Sequence, residues 1–244
     1  MSIELLLLLI AGIFVIAVLY SSVGHAGASG YIAVMSLLSL APAMIKPTAL
    51  SLNILVASIA TWQFFRAGHF SWTLFWPFAV LAVPFAFIGG HINLPTHLFK
   101  VILGVVLLYS AIRFLIESQH TLQIKEPPRA YALASGAGIG FLSGLTGTGG
   151  GIFLTPLLLF MGWADAKRAA AVSALFVLVN SISGLAGNFS STKSLPAFIL
   201  PLLIAAALGG SIGSYFGSRR IQSAAIKKLL ACVLLIAGLK LIFT

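Results

Sequence analysis

The sequence predicts an all-α, polytopic integral membrane protein made of two inverted-topology repeats, each carrying a short Gly-broken half-helix or re-entrant segment. Three observations predict it: long stretches without a formal charge, a self-similarity that pairs the two halves, and a Lys/Arg distribution that turns one half over relative to the other. Of 244 residues, 60% are hydrophobic and 7% charged, with a mean hydropathy of +1.11, where soluble domains carry about 25% charged residues. Four acids and fourteen bases cannot form the polar shell of a water-soluble globule. Between Glu4 and Lys46, 41 residues carry no formal charge, and similar gaps cover 67–99, 130–164, 169–192 and 194–218. One membrane helix needs roughly 20 such residues.

Glycine, proline and charge divide each half into five apolar segments. In the first half they are 4–22, 29–41, 47–65, 72–90 and 97–117; in the second, 130–146, 150–162, 169–187, 195–217 and 224–243. The opening Met1-Ser-Ile-Glu4 lacks the basic region of a secretory signal, so the first segment is expected to remain as a helix. The second segment of each half is too short for an independent span and reads as a half-helix or re-entrant piece. Whether each half has five true crossings or three is left open by the sequence. The basic stretch 119–129, with Pro127-Pro128, is the expected cytoplasmic linker between a first repeat, 1–118, and a second, 130–244.

The two halves share landmarks. Gly24-His-Ala-Gly-Ala-Ser-Gly30 before one short segment corresponds to Gly144-Leu-Thr-Gly-Thr-Gly-Gly-Gly151 before the other. Ser51 follows in step with Ser173, Gly68 with Gly187, Gly89-Gly90 with Gly209-Gly210, Lys100 with Lys227 and Arg113 with Lys240, at an offset drifting from 119 to 127. In this alignment Ser29 matches Gly150 and Met35 stands where the second half has Pro156.

Charge then decides orientation. With the amino terminus outside and an odd number of crossings per half, the inside loops hold Arg66, Arg113, Lys125, Arg129, Lys167, Arg168, Arg219, Arg220, Lys227 and Lys228, ten of the fourteen bases. Fusing the first two segments of each half gives eight inside against six. An odd count inverts the second half. Trp62, Trp72, Trp76 and Trp163 flank the same inside loops, as an interfacial belt does. The bases never cluster into a stripe, so the net charge of +10 reads as topology and headgroup anchoring, and no nucleic-acid partner is expected. Cys232 stands alone, which leaves no disulfide framework or thiolate metal site. No cofactor is indicated, and nothing excludes a homo-oligomer.

Short, Gly-interrupted segments at matching positions of inverted halves point to a midplane binding site. Glycine lets backbone N–H groups face a ligand, and a helix that begins there directs its positive end the same way. The expected substrate-binding residues are His25, Ser29 and Gly30 at the first break, Thr148, Gly149, Gly150 and Gly151 at the second, and Ser51, Ser173 and Asn180 on the third segments. Ser21, Ser22, Ser143, Thr146 and Thr155 offer further hydroxyls at the breaks, and Ser58 lies one heptad from Ser51 as Asn180 does from Ser173. The only acids, Glu4, Glu117, Glu126 and Asp165, sit at segment edges or in loops. A site of N–H groups and hydroxyls without a carboxylate selects a small anion.

The run from Gly144 to Gly151, continued by Ile-Phe-Leu-Thr-Pro156 and then by Ala171-Val-Ser173 and Gly187-Asn-Phe189, resembles the TauE/SafE sulfite exporter family, also called toluene-sulfonate uptake permeases. The resemblance spans most of the chain. It implies a secondary transporter of a small sulfur-containing anion, such as sulfite or an organosulfonate, in the bacterial inner membrane. His25 is an addition to the family pattern.

Other readings stand beside this one. Gly209, Gly213 and Gly217, four residues apart, read as a helix contact. Ser51, Ser58, Ser173 and Asn180 could bond between helices without meeting a ligand, and His69, His91, His97 and His120 lie near segment ends. A passive anion channel would use the same dipoles. An intramembrane serine hydrolase would use Ser29 within Gly27-Ala-Ser-Gly30, but it needs a histidine beside the serine.

Overall fold

The computed structural model describes residues 3–92, 124–188 and 195–220, with scattered helical positions within 98–115 and 231–242. The chain is all-helical there. The described helices are α1 (Ile3–Ser21), α2 (Ala28–Leu37), α3 (Pro42–Arg66), α4 (Trp72–His91), α5 (Arg129–Thr146), α6 (Gly151–Phe160), α7 (Ala166–Gly187) and α8 (Ile199–Arg219). They follow the predicted segments closely. The fifth segment of each half, His97, His120, Glu117 and Cys232 fall wholly or mostly outside the described residues.

Helix α7 begins three residues earlier and α8 four residues later than expected. The starts differ most at α3, which begins at Pro42, not at Pro47, because Pro42 takes a first-turn position after extended Ala41, where its missing N–H costs nothing. Pro47 therefore lies inside the helix. Five described helices are long and apolar enough to cross a membrane: α1, α3 from Ala43, α4, α7 and α8. At 18 residues, α5 is shorter and has Arg129 in its first turn, and Gly136, Gly140 and Gly144 occupy its packing face.

Those glycines explain how the bundle closes. Added Cβ atoms at Gly136, Gly140 and Gly144 would run into the carbonyl oxygens of Phe78, Ala82 and Ala86 on α4. On the other side of the molecule, Gly213 and Gly217 of α8 press against the carbonyls of Val18 and Ser22, and Gly209 stands 2.5 Å from that of Phe14 by the same measure. In lipid there is no hydrophobic driving force between helices, so contact at backbone distance supplies the van der Waals energy of association. The expected Gly209 to Gly217 helix contact is the one observed.

Helices α3 and α7 form the centre, most of each span being buried, whereas α1 is mostly open on its outer face. Asn53 of α3 donates to Ser181 of α7 at 3.2 Å, Ser183 of α7 donates to the Val83 carbonyl of α4, and Gln63 of α3 donates to the Ser211 carbonyl of α8. Thus α1 pairs with α8, α4 with α5, and both pairs lean on the central α3 and α7.

The backbone fixes the internal register more sharply than the landmarks do. Left-handed φ at Gly24, Gly27 and Ser39 (78°, 112° and 58°) recurs at Gly147, Gly150 and Gly162 (78°, 84° and 67°), each 123 residues later. The turns after α2 and α6 repeat bond for bond: Leu38 N–H to Val34, Ser39 to Ser36 and Leu40 to Met35 match Met161 to Leu157, Gly162 to Leu159 and Trp163 to Leu158. This constant offset corrects the drifting one. Gly27, not Ser29, is the counterpart of Gly150, and Thr148 is the counterpart of His25. Pro156 pairs with Ala33 instead of Met35.

Loops assigned to one side by charge lie together. His69 Nε2 is 3.2 Å from the Ser218 carbonyl, and Lys125 N–H donates to the Gly162 carbonyl. Arg66 lies over the Trp62 ring and Arg219 over that of Tyr215, as interfacial anchors do.

Candidate functional site

Both short helices begin at a left-handed glycine, Gly27 for α2 and Gly150 for α6, and neither has a side-chain cap. The first N–H groups of a helix have no intrahelical acceptor. A side chain at Gly27 is blocked twice, by φ and by the Tyr31 ring, whose Cζ would lie 2.8 Å from a Cβ and whose hydroxyl donates to the Ala26 carbonyl. At Gly150 a Cβ would stand 2.9 Å from Phe176 and 3.3 Å from the Ser143 Cβ.

The two breaks meet. His25 Nε2 lies 2.8 Å from Thr155 Oγ1 in the second turn of α6, and the His25 ring covers Gly151, whose added Cβ would be 3.1 Å from Cδ2. Thr155 donates its single hydroxyl proton to Ser173 Oγ at 2.7 Å. With that proton committed to Ser173, the Thr155 oxygen is left to accept from His25 Nε2–H. All three residues are buried. Around Gly149 a second polar group gathers: a Cβ there would be 2.6 Å from Asn53 Nδ2 and 3.0 Å from Ser181 Oγ. Thr148 pairs with Thr146 at 3.0 Å, and Thr146 donates onward to the Leu142 carbonyl.

Asn180 is fully buried seven residues from Ser173 on α7, so the two share a face. Neither its Nδ2 nor its Oδ1 has a hydrogen-bond partner, and the same holds for Asn53 Oδ1 and Ser143 Oγ. Buried polar atoms without partners are rare in folded proteins, and a group of them calls for an explanation.

The expected residues therefore divide. His25, Gly149, Gly150, Gly151 and Ser173 gather at the paired breaks, with Thr148 alongside and Asn180 on the same face of α7. Ser29 and Gly30 turn towards α1, where Ser29 Oγ donates to Tyr20 at 3.0 Å and a Cβ on Gly30 would meet Ile16. Ser51 donates to the Pro47 carbonyl of its own helix, and Ser58 likewise to Ile54 on an exposed face. Asn53 and Ser181 were not anticipated. The signal for Asn53 was present, as an amide in the middle of the otherwise apolar 47–65 segment.

Lys46 is also buried. Its ammonium donates to the Gly90 and Ile92 carbonyls at the carboxyl end of α4, at 3.1 and 3.4 Å. A cation there completes the last turn of that helix. Its stem lies against Gly147, so the second break rests on it. Among the described residues no group of three or more His, Cys, Asp or Glu is placed to hold a metal ion, and the described acids Glu4, Glu126 and Asp165 are exposed.

The family model described as Sulfite exporter TauE/SafE matches residues 8–241. The chain is 45% identical to the probable membrane transporter protein y4hK of Sinorhizobium fredii, over 94% of this chain and 95% of that protein. It is 29% identical to the probable membrane transporter protein YunE of Bacillus subtilis, over 48% and 44% of the two chains. It is 27% identical to MJ0441 of Methanocaldococcus jannaschii, also a probable membrane transporter protein, over 57% and 53%. No solved structure matches.

Proposed function

The chain belongs to the Sulfite exporter TauE/SafE family of membrane transporters, and on that premise we propose that it is a secondary carrier moving sulfite or a small organosulfonate across a bacterial inner membrane. The observation that carries this reading is the His25 to Thr155 contact, which joins the two glycine breaks into one buried site. Each helix start contributes about half a positive charge, and two together offset one oxyanion charge. Ser173, Asn180, Asn53 and the N–H groups after Gly27 and Gly150 supply hydrogen bonds in place of water. No described carboxylate opposes an anion there.

Burial of both breaks favours a carrier over an open channel, since His25 is 2% and Thr148 3% exposed. The hydrolase reading loses support because Ser29 is bonded to a phenol and His25 to Thr155.

The decisive experiment combines flux and binding. In proteoliposomes, sulfite or a small sulfonate should move down its imposed gradient. In detergent, an oxyanion at a hundredfold excess over Kd should add about 2.7 kcal/mol of stability, a shift of several degrees in melting temperature. Stabilisation by sodium or magnesium alone, with no response to sulfite, sulfoacetate or thiosulfate, would remove the anion site.

The proposal also has the halves lying in opposite orientations. Exposed Leu195 lies in the segment before α8, which holds the place in the second half that the segment before α4, beside exposed Thr73, holds in the first. In a Cys232→Ser background, Leu195→Cys should react with a membrane-impermeant thiol reagent in intact cells, and Thr73→Cys should not. Equal labelling of both would mean that the repeats are parallel.

A further inference from the structure

A groove of about 660 Å³ opens where α4, the segment before α5 and the start of α7 come together. Its lining includes Lys125, Arg129 and Arg168, one acid, Glu126, and the indoles Trp76 and Trp163. Two of the cations, Lys125 and Arg129, flank Glu126 on the segment that leads into α5, and the third, Arg168, comes from the first turn of α7. Lys125 is held in place because its N–H donates to the Gly162 carbonyl, and Arg168 because its N–H donates to Asp165 Oδ1 at the α7 cap. The walls are the start of α4 and the turn after α6, on the side where the bases concentrate.

We propose that this groove holds the headgroup of an anionic phospholipid. The charge balance of the lining is positive, with three bases to one acid. Trp76 is 55% and Val80 52% exposed, so the groove runs onto an apolar face of α4 that meets acyl chains. An indole beside a basic cluster marks the depth of the headgroup layer. The volume suits a phosphoglycerol group with the first part of its chains and falls within the size range of small-molecule sites. A free anion would leave the apolar wall uncovered, whereas a lipid fills both parts. The site is separate from the paired breaks, so it stands or falls independently of the transported substrate.

Native mass spectrometry of the purified protein with phosphatidylglycerol and phosphatidylcholine tests this. The wild type should retain phosphatidylglycerol in preference to phosphatidylcholine. Each basic residue near a membrane surface contributes roughly fivefold in affinity for anionic lipid. Arg129→Gln should therefore lower that preference about fivefold, and the triple change Lys125→Gln, Arg129→Gln and Arg168→Gln should abolish it. Glu126→Gln, which removes the opposing charge, should raise the preference. Ser58→Leu, on an exposed face of α3 away from the groove, should leave it unchanged. Equal retention of the two lipids by the wild type, or an unchanged preference in both Arg129→Gln and Glu126→Gln, would overturn the proposal. So would displacement of phosphatidylglycerol by millimolar glycerol phosphate or inorganic phosphate, which would identify the groove as a site for free anions.

Discussion

Leucine at Gly140 is expected to leave no monodisperse protein in detergent, whereas leucine at Gly138, two residues away on the same helix, should be tolerated. A Cβ at Gly140 collides with the Ala82 carbonyl, while one at Gly138 has nothing within 4 Å. The obstacle is backbone, so rotating a side chain cannot relieve it. The helices must separate, and separation also weakens the contacts of Gly136 and Gly144 with Phe78 and Ala86 on the same seam. Ordinary overpacking costs about 1–3 kcal/mol, but opening a whole helix contact should exceed about 4 kcal/mol, enough to unfold a marginally stable protein. Gly213→Leu should fail likewise against Val18. Size-exclusion profiles of the variants check this, and a monodisperse Gly140→Leu protein would show that α4 and α5 are not held by the seam.

The helices were legible in the sequence because lipid imposes a length and an apolar composition on every span. The short α2 and α6 were legible for the converse reason, being too short to cross and preceded by glycines. The relative register was harder to read. Landmarks such as Ser51 and Ser173 are chemically plausible partners, but a one-residue error on a helix rotates a position by about 100°. Ser51 faces its own Pro47 carbonyl while Ser173 faces Thr155. The left-handed positions fix the register, yet Ser39 conceals one of them, because a serine at φ 58° leaves no trace in composition. Ser29 was misplaced by two residues, since Gly27 is the position that matches Gly150. The pairing of His25 with Thr155, 130 residues apart, depends on how the halves pack, and no local pattern encodes it.

Asn180→Leu is expected to make the ligand-free protein more stable and a much poorer transporter. Leucine keeps the branching of the asparagine side chain and removes its polarity. In the ligand-free protein the Asn180 amide has no hydrogen-bond partner at either atom, and an unsatisfied buried group costs about 1–3 kcal/mol. Its removal should therefore raise the melting temperature by a few degrees, provided the site accepts the slightly larger methyl groups. Under the proposed function the same amide contacts the anion, with Nδ2 donating to an oxyanion oxygen and Oδ1 accepting from a protonated form of the substrate. A hydrogen bond to a charged group contributes about 1.5–3 kcal/mol, so transport should fall between tenfold and roughly a hundredfold. Ser58→Leu, on an exposed face of α3, should change neither quantity appreciably. A purely structural asparagine would give a different pair of results, because losing a stabilising contact lowers the melting temperature and leaves transport by the surviving folded protein intact. Opposite movements of stability and flux in one variant are what a polar group held for a ligand produces, and normal flux in Asn180→Leu would move the anion away from this face of α7.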